Sequence, residues 1–244
     1  MKPITRHKGG SARWRRPLWL IVGLLCALAE LAQAATVSEE LPADIAQLSD
    51  SLRRLYAPDQ REELFQLDFT TAGRKVMLRG VTTSAPAKRA LLDGLRERGY
   101  EVMDALSLLP DERTVGGKCY GIVNVSVCNL RTAADFSSEM ASQALMGMPV
   151  RLLQDEGWFR VQTPDCYIGW VHHVGIHPVT AAELTVWNRA EKLVVVAPYG
   201  TVYSLPDERS QPVSDCVAGN RLKLLGQKKG FYHVAYPDGR EGYL

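Results

Sequence analysis

Two stretches of sequence decide the fold, GWFRVQTPDCYIGWV at residues 157–171 and GFYHVAYPDGREGYL at residues 230–244. They align without a gap, and glycine, valine, proline and aspartate recur at equivalent places. At three further positions both copies hold an aromatic residue. Self-similarity of this kind is the signature of a repeated structural unit, so the sequence predicts two copies of one small fold.

Each copy follows the pattern of short β-strands joined by turns. An alternating aromatic run predicts a strand, a Pro-Asp pair predicts a turn, and a short strand ends in glycine and an aromatic residue. The similarity extends upstream, where Gly147 and residues 150–153 match Gly219 and residues 222–225 with one extra residue in the second turn. We therefore expect two small β modules, at 117–178 and at 190–244, the second ending at its closing strand.

Composition and charge narrow the class of protein. The 244 residues are 46% apolar and 23% charged, near the globular average, which excludes a disordered chain and a disulfide-dense miniprotein. Six basic residues and one acid lie in residues 1–34, so the remainder holds 23 basic and 26 acidic residues and a net charge of about −3. A basic nucleic-acid-binding protein is disfavoured, and no nucleic-acid partner is expected.

The N-terminus has the layout of a secretory signal peptide. Basic residues up to Arg16 precede a short apolar run, and small residues at 31–35 provide a cleavage site after Ala34 or Ala35. An uncleaved anchor is the alternative, although the apolar run is short for a bilayer and no later segment is comparable. Residues 1–35 therefore predict a secreted or periplasmic protein that keeps no stable membrane span, in a compartment that permits disulfides.

The segment 36–115 predicts a small α+β domain. Apolar residues spaced by three or four indicate helices, and alternation indicates strands. The expected elements are a helix at 41–56, a hairpin at 63–70 and 75–82, a helix at 87–98 and a strand at 100–109. The resulting β-β-α-β order resembles the BON-type domains of cell-envelope proteins.

The repeat itself resembles a known family. The arrangement VSVCNLR at 125–131, then Ser138-Glu139 and Gln143, then residues 157–170 resembles the bacterial SH3 (SH3b) modules that precede the catalytic domain of NlpC-type cell-wall endopeptidases. The second copy, with PVSD at 212–215 and YPDGR at 236–240, is similar to the second SH3b module of the same enzymes. The expected fold class is thus mainly β, with two small SH3b-type barrels preceded by the α+β domain and the signal peptide.

The resemblance also implies a ligand and a site. In that family a papain-like domain cleaves the bond between γ-D-glutamate and a diamino acid in peptidoglycan stem peptides, and the first SH3b module recognises the free amino end of the peptide. The corresponding candidates here are Glu139, as a carboxylate facing an ammonium, and Tyr167, with Arg131 and Trp170 from the same motif. No cofactor and no metal are implied.

Two functional hypotheses follow, because the Asp-Cys-Ser-Gly nucleophile motif of the family is missing from the sequence. The first is an exported, non-catalytic protein that binds or positions stem peptides at the cell wall. The second is the substrate-positioning half of a truncated NlpC-type cysteine endopeptidase, which the DNA beyond codon 244 would reveal. An envelope scaffold that binds a protein through the α+β domain is a third possibility.

Cysteines and histidines could suggest other chemistry. Asp165-Cys166 and Asp215-Cys216 mimic part of a nucleophile motif, but neither introduces a helix that could activate a thiolate, so no catalytic residue is expected. Among the mature cysteines, a Cys166–Cys216 disulfide or four free thiols are favoured, whereas Cys119 and Cys128 flank one predicted strand and lie too far apart unless that strand bends.

Two further groups of residues are interpreted as structural. His172 and His173 are adjacent in an extended segment, so their side chains point to opposite faces and cannot easily share one zinc ion. Together with His177 they are therefore interpreted as part of a solvated linker between the modules. The six aromatic residues at equivalent places in the two copies are interpreted mainly as barrel core. They are Trp158, Phe159, Trp170, Phe231, Tyr232 and Tyr243.

Overall fold

A computed structural model describes residues 41–244 of the chain. The predicted signal peptide, with Cys26 inside it, lies outside the described residues. Residues 41–244 form one compact unit. Within this range no helix has both the length and the apolar character needed to cross a bilayer.

The first part of the unit is an α+β domain. Its elements are α1 (Ala43–Tyr56), β1 (Phe65–Ala72), β2 (Lys75–Thr82), α2 (Ala85–Glu97) and β3 (Glu101–Leu108). The sheet order is β1-β2-β3, with an antiparallel β1–β2 hairpin and a parallel β2–β3 pair that α2 connects. Apolar stripes of both helices, such as Ile45 on α1 and Leu91 on α2, are fully buried in one core with Leu78 of the sheet. The predicted β-β-α-β order is confirmed.

A seven-stranded sheet follows, which we call the first β-module. Its strands are β4 (Tyr120–Val123), β5 (Val127–Arg131), β6 (Met140–Leu145), β7 (Pro149–Asp155), β8 (Phe159–Gln162), β9 (Ile168–Val171) and β10 (Ile176–Val179). The strand order is β10-β4-β7-β8-β9-β5-β6, and every neighbouring pair is antiparallel. A short 3₁₀ turn at His173–Gly175 joins β9 to β10.

A six-stranded sheet, the second β-module, comes after helix α3 (Ala181–Arg189). Its strands are β11 (Lys192–Val194), β12 (Tyr199–Tyr203), β13 (Pro212–Val217), β14 (Arg221–Lys228), β15 (Phe231–Ala235) and β16 (Glu241–Tyr243). The order is β11-β14-β15-β16-β12-β13.

The two β-modules share their irregularities as well as their strand order. The hairpin β7–β8 in the first and the equivalent hairpin β14–β15 in the second each have a register shift, at Leu152/Gln154 and at Leu224/Gly226. In each, the two halves of the sheet are joined through one residue pair, Arg131–Trp170 in the first and Tyr203–Tyr243 in the second. The mainly β class is confirmed. Within the described residues, however, neither sheet closes into a barrel, because the strand order has two separate ends and the halves meet through that one pair.

Helix α3 was not expected, since the segment between the modules was interpreted as a linker. A capping box begins the helix: the Thr180 hydroxyl accepts the Glu183 N–H, and the Glu183 carboxylate accepts the Thr180 N–H at 2.7 Å. The indole of Trp187 on this helix is buried and donates to the carbonyl of Gly147 at 3.2 Å. The connection is therefore a packed element rather than a solvated one.

The β-modules are held against each other by backbone at Gly147. The N–H of Arg221 donates to the carbonyl of Met146, a residue that is buried in the core of the second β-module. Gly147 has φ +81°, and a Cβ added there would lie 2.1 Å from the carbonyl oxygen of Arg221. The backbones approach so closely that only glycine fits.

We expect Gly147→Ala to destabilise the protein more than Gly157→Ala does. Gly157 has nearly the same φ, +82°, but nothing lies within 4 Å of its added Cβ, so it is a matched control. The control should lose about 1 to 2 kcal/mol for the left-handed backbone alone, and Gly147→Ala about 1 to 3 kcal/mol more for the clash. Urea denaturation measures both, and equal losses would contradict the close approach.

Candidate ligand-binding site

A cavity of about 460 Å³ opens where the α+β domain meets the first β-module. Three of the four predicted ligand-binding residues line it, Glu139, Tyr167 and Trp170. Neighbours of these residues on β6 and β9 contribute to the wall, and the rest comes from the α+β domain and from strand β8. The principal lining residues there are Gln60, Arg61, Leu64, Gln66 and Arg160.

Glu139 supplies an unpaired carboxylate. The residue ends the loop before β6, and its carbonyl accepts the N–H of Thr132 at 3.0 Å, which fixes the backbone. Its side chain is exposed and has neither a hydrogen bond nor an ion pair with any residue of 41–244. In the second β-module the carbonyl of Gln211 accepts the N–H of Ser204 at 2.8 Å in the same way. The loop geometry is thus common to both modules, and the carboxylate belongs to the first alone.

Tyr167 forms another side of the cavity. It follows the β8–β9 turn, where Cys166 adopts φ +71° as Gly239 adopts +86° in the second β-module. The guanidinium of Arg61 lies 5.7 Å from the Tyr167 ring and pairs with Asp59 at 2.6 Å. The hydrogen bonds from Arg61 lower the pKa of Asp59 to about 2, so the charge of this arginine is compensated at neutral pH.

Trp170 and Arg160 face each other across β9 and β8. The two residues are registered partners, and the guanidinium carbon of Arg160 lies 5.2 Å from the Trp170 ring. Arg160 is only 9% exposed, and burial lowers its pKa. Arg160 was not among the predicted site residues, although the repeat aligns it with His233, another basic residue.

Arg131 does not line the cavity. Its guanidinium donates to the carbonyl of Ser138 at 2.6 Å, and its backbone pairs with that of Trp170. Arg131 therefore lies next to the site and stabilises the loop that ends in Glu139.

The α+β domain forms a wall of the cavity because it is docked on β8 and β9. The N–H of Ile168 donates to the carbonyl of Arg61 at 2.7 Å, and the Gln162 amide donates to the carbonyl of Glu62 at 2.9 Å. Apolar contacts reinforce the docking, since Ile168 packs against a buried cluster that contains Leu64. No local sequence signal links residues about 100 positions apart, and the prediction missed this wall.

Of the two alternatives, a Cys166–Cys216 disulfide or four free thiols, the structure contains the free thiols. All four cysteines in 41–244 are free; Cys166 is exposed in a turn of the first β-module, whereas Cys216 is fully buried in the second. The chain does bend between Cys119 and Cys128, because β4 ends at Val123 and β5 starts at Val127, but these two thiols are also unbonded.

The buried thiols are poor nucleophiles. Burial raises the pKa of Cys128 to about 12 and also raises the pKa of Cys216. A thiol protease requires the opposite shift, toward the thiolate. Cys166 is exposed, but it lies in a turn and not at the start of a helix.

The histidines belong to the first β-module, which corrects their interpretation as a linker. The ring of His172 packs 5.2 Å from Trp158, and His173 shares a hydrogen bond with Asp155 at 2.8 Å. His177 lies on β10. Within residues 41–244, no group of three or more histidine, cysteine or acidic side chains is placed to hold a metal ion.

The aromatic residues of the repeat are mostly not core, contrary to expectation. Phe159 is 8% exposed and joins the buried cluster of the first β-module. Trp158 instead packs at the surface with Phe136, with ring centroids 4.6 Å apart, and Tyr232 is 40% exposed. The cores are built mainly from aliphatic residues, such as Leu152 in the first sheet.

A second cavity of about 530 Å³ lies where α3 meets both β-modules. Its lining is more apolar and includes Val186, Trp187 and Leu225. It contains none of the predicted site residues.

Comparison with known proteins agrees with the SH3-type assignment of the first β-module. Residues 130–176 match the family model of the bacterial dipeptidyl-peptidase SH3 domain. This segment contains Arg131, Glu139, Tyr167 and Trp170. A search of curated proteins found no match.

Similar solved structures carry NlpC names. An NlpC/P60 family protein from Bacillus cereus ATCC 10987 shares 20% identity over 51% of this chain and 53% of its own, with a TM-score of 0.42. NlpC2 and NlpC1 from Trichomonas vaginalis each share 15% identity with TM-scores of 0.23, over 52% and 51% of this chain and 45% and 42% of theirs. The chain thus spans about half the length, or less, of these structures.

We expect Cys166 to react with iodoacetamide in the native protein, while Cys128 and Cys216 react only after unfolding. Exposure makes the first thiol accessible, and burial with a raised pKa protects the other two. Peptide mapping by mass spectrometry identifies the labelled residue without removing any cysteine. Joint protection of Cys166 and Cys216 that reductant relieves would contradict the free-thiol state.

Proposed function

We propose that this protein is exported and binds peptidoglycan stem peptides, with the first β-module recognising the free amino end of the peptide. The observation that carries the proposal is the cavity in which the unpaired Glu139 carboxylate, Tyr167 and Trp170 meet. The match of residues 130–176 to a peptidase-associated SH3 domain supports the same assignment.

The chemistry of the cavity suits an ammonium group. A carboxylate without a protein partner can accept a charge-assisted hydrogen bond from an amine, and such bonds are stronger than neutral ones. Aromatic rings beside it can contact the remainder of a small peptide and attract the cation through their faces. The side chain of Arg131 fixes the loop that presents the carboxylate, so the site is organised before ligand binds.

The second β-module is not proposed to bind the same group. At the position of Glu139 it has Gln211, and at the position of Tyr167 it has Arg240, which pairs with Asp238 at 2.6 Å. It therefore offers neither the carboxylate nor the tyrosine. Its proposed role is to support the first β-module through the packed junction at Gly147.

A second candidate function is positioning of substrate for a cysteine endopeptidase domain encoded with this chain. The description of the matched domain, which associates it with dipeptidyl-peptidases, favours this candidate. The DNA beyond codon 244 tests it, and an open frame containing Asp-Cys-Ser-Gly with a downstream histidine is the expected result. A sequenced stop codon would remove it and leave the non-catalytic proposal.

Glu139→Gln should weaken binding of the tripeptide L-Ala-γ-D-Glu-L-Lys amide about tenfold, because the charge that faces the ammonium is lost. The glutamine is compatible with the fold, since Gln211 occupies the equivalent place. Glu208→Gln, in the corresponding loop of the second β-module, is the matched control with the same change in charge. Titration calorimetry measures each dissociation constant.

The N-acetylated tripeptide separates recognition of the ammonium from other contacts. Wild-type protein should bind it about tenfold more weakly than the free-amino peptide, and Glu139→Gln should bind the two alike. Affinity for the free-amino peptide should also fall above about pH 8, where an α-amino group loses its proton. Equal affinity of wild-type protein for both peptides would refute recognition of the amino end, and no retention on purified peptidoglycan would refute the cell-wall role.

Export predicts a shortened N-terminus. Expression in a bacterial host should yield a periplasmic or secreted protein whose intact mass begins after Ala34 or Ala35, since the small residues there provide the cleavage site. The matched control is a chain with Arg15 and Arg16 replaced by glutamate, which should remain uncleaved. A full-length, membrane-associated product from the natural sequence would instead favour the anchor.

A further inference from the structure

The buried guanidinium of Arg160 has no acidic partner. Its terminal nitrogens reach only neutral acceptors, Gln66 Oε1 at 3.2 Å and Gln154 Oε1 at 3.4 Å, and its buried Nε has no hydrogen-bond partner. No residue of 41–244 forms an ion pair with it. A positive charge that is taken out of water without a counterion is costly, so its presence in the wall of the cavity requires an explanation.

The second β-module places an acid beside the residue at the equivalent position. The position equivalent to Arg160 is His233, which bonds to Glu241 at 2.8 Å and stacks on Tyr243 as Arg160 stacks on Trp170. The position equivalent to Glu241 in the first β-module is Ile168. The arrangement is therefore similar in both modules, except that the first has Ile168 where the second has an acid.

The contact with the α+β domain explains why position 168 holds an apolar residue instead of an acid. Ile168 packs against the cluster of Leu64, Leu109 and Leu153 at the contact with the α+β domain, where a carboxylate would be buried among apolar groups. Ile168 at this contact therefore leaves Arg160 without a counterion, and Arg160 is buried in the wall of the cavity.

No other acid of the neighbourhood neutralises Arg160 directly. Glu156 is exposed, and it reaches Arg160 only through the amide of Gln154, which donates to Glu156 Oε1 at 2.7 Å. The nearby Asp59 is already paired with Arg61. The cavity therefore presents one unpaired cation and, at Glu139, one unpaired anion.

We propose that Arg160 binds a carboxylate of the same ligand whose ammonium is bound by Glu139. This inference rests on the proposed function and deepens it. The ligand class is a peptide with a free amino end and a carboxylate within its first two residues, and in a stem peptide this group is the α-carboxylate of D-glutamate. A guanidinium is well suited to the task, because its fork of N–H donors matches the geometry of a carboxylate.

Two peptides that differ only in this carboxylate test the proposal. The first is the tripeptide L-Ala-γ-D-Glu-L-Lys amide, and the second has D-isoglutamine in place of D-glutamate, so that a carboxamide replaces the α-carboxylate. Wild-type protein of the full chain should bind the first about 10 to 100 times more tightly in titration calorimetry, as expected for a hydrogen-bonded charge pair. Arg160→Gln should reduce this preference to about twofold or less, because it should weaken binding of the carboxylate peptide and leave binding of the carboxamide peptide unchanged.

His233→Gln, the equivalent change in the second β-module, is the matched control and should keep the wild-type preference. Thermal denaturation shows whether Arg160→Gln folds, and if it does not, the two peptides with wild-type protein decide the matter. Equal binding of both peptides by wild-type protein, or an unchanged preference in folded Arg160→Gln, would overturn the role of Arg160 and leave recognition of the amino end intact. Failure of wild-type protein to bind either peptide would overturn the proposed function together with this inference.

Discussion

The docking of the α+β domain on strands β8 and β9 is the contact on which the candidate site depends. One backbone hydrogen bond, from Ile168 to Arg61, and the apolar cluster around Leu64 join segments about 100 residues apart in sequence. Without this contact the cavity would lose the wall that Gln60, Arg61, Leu64 and Gln66 provide. The site is therefore a property of two folded parts, and neither part contains it alone.

The two β-modules illustrate how one fold acquires different chemistry at equivalent positions. Backbone features that the fold requires are retained, such as the left-handed residue at Cys166 and Gly239. Side chains around the cavity are changed, and Glu139 stands where the second module has Gln211. Because the loop backbone is the same in both, the fold does not require these side chains, and we propose that they serve ligand recognition in the first module.

Local periodicity was sufficient to predict most helices and strands, since an amphipathic helix or a two-stranded hairpin is specified by nearby residues. Its failures have identifiable causes. Helix α3 was missed because its apolar stripe is short, although the capping box at Thr180 and Glu183 marked its start. The aromatics were assigned to the core because they recur, yet Trp158 covers the surface beside Phe136 while aliphatic residues fill the interior.

The sequence by itself determined the repeat, through a gapless alignment, and the α+β order, through local apolar periodicity. Three residues of the cavity followed from the SH3b motif that the first copy resembles. Only the tertiary structure decided that the sheets stay open, that Cys166 and Cys216 lie in different environments, and that Arg160 is buried without a counterion. These features depend on which distant segments pack together. Burial and charge compensation arise from that packing, and no spacing of residues along the chain encodes them.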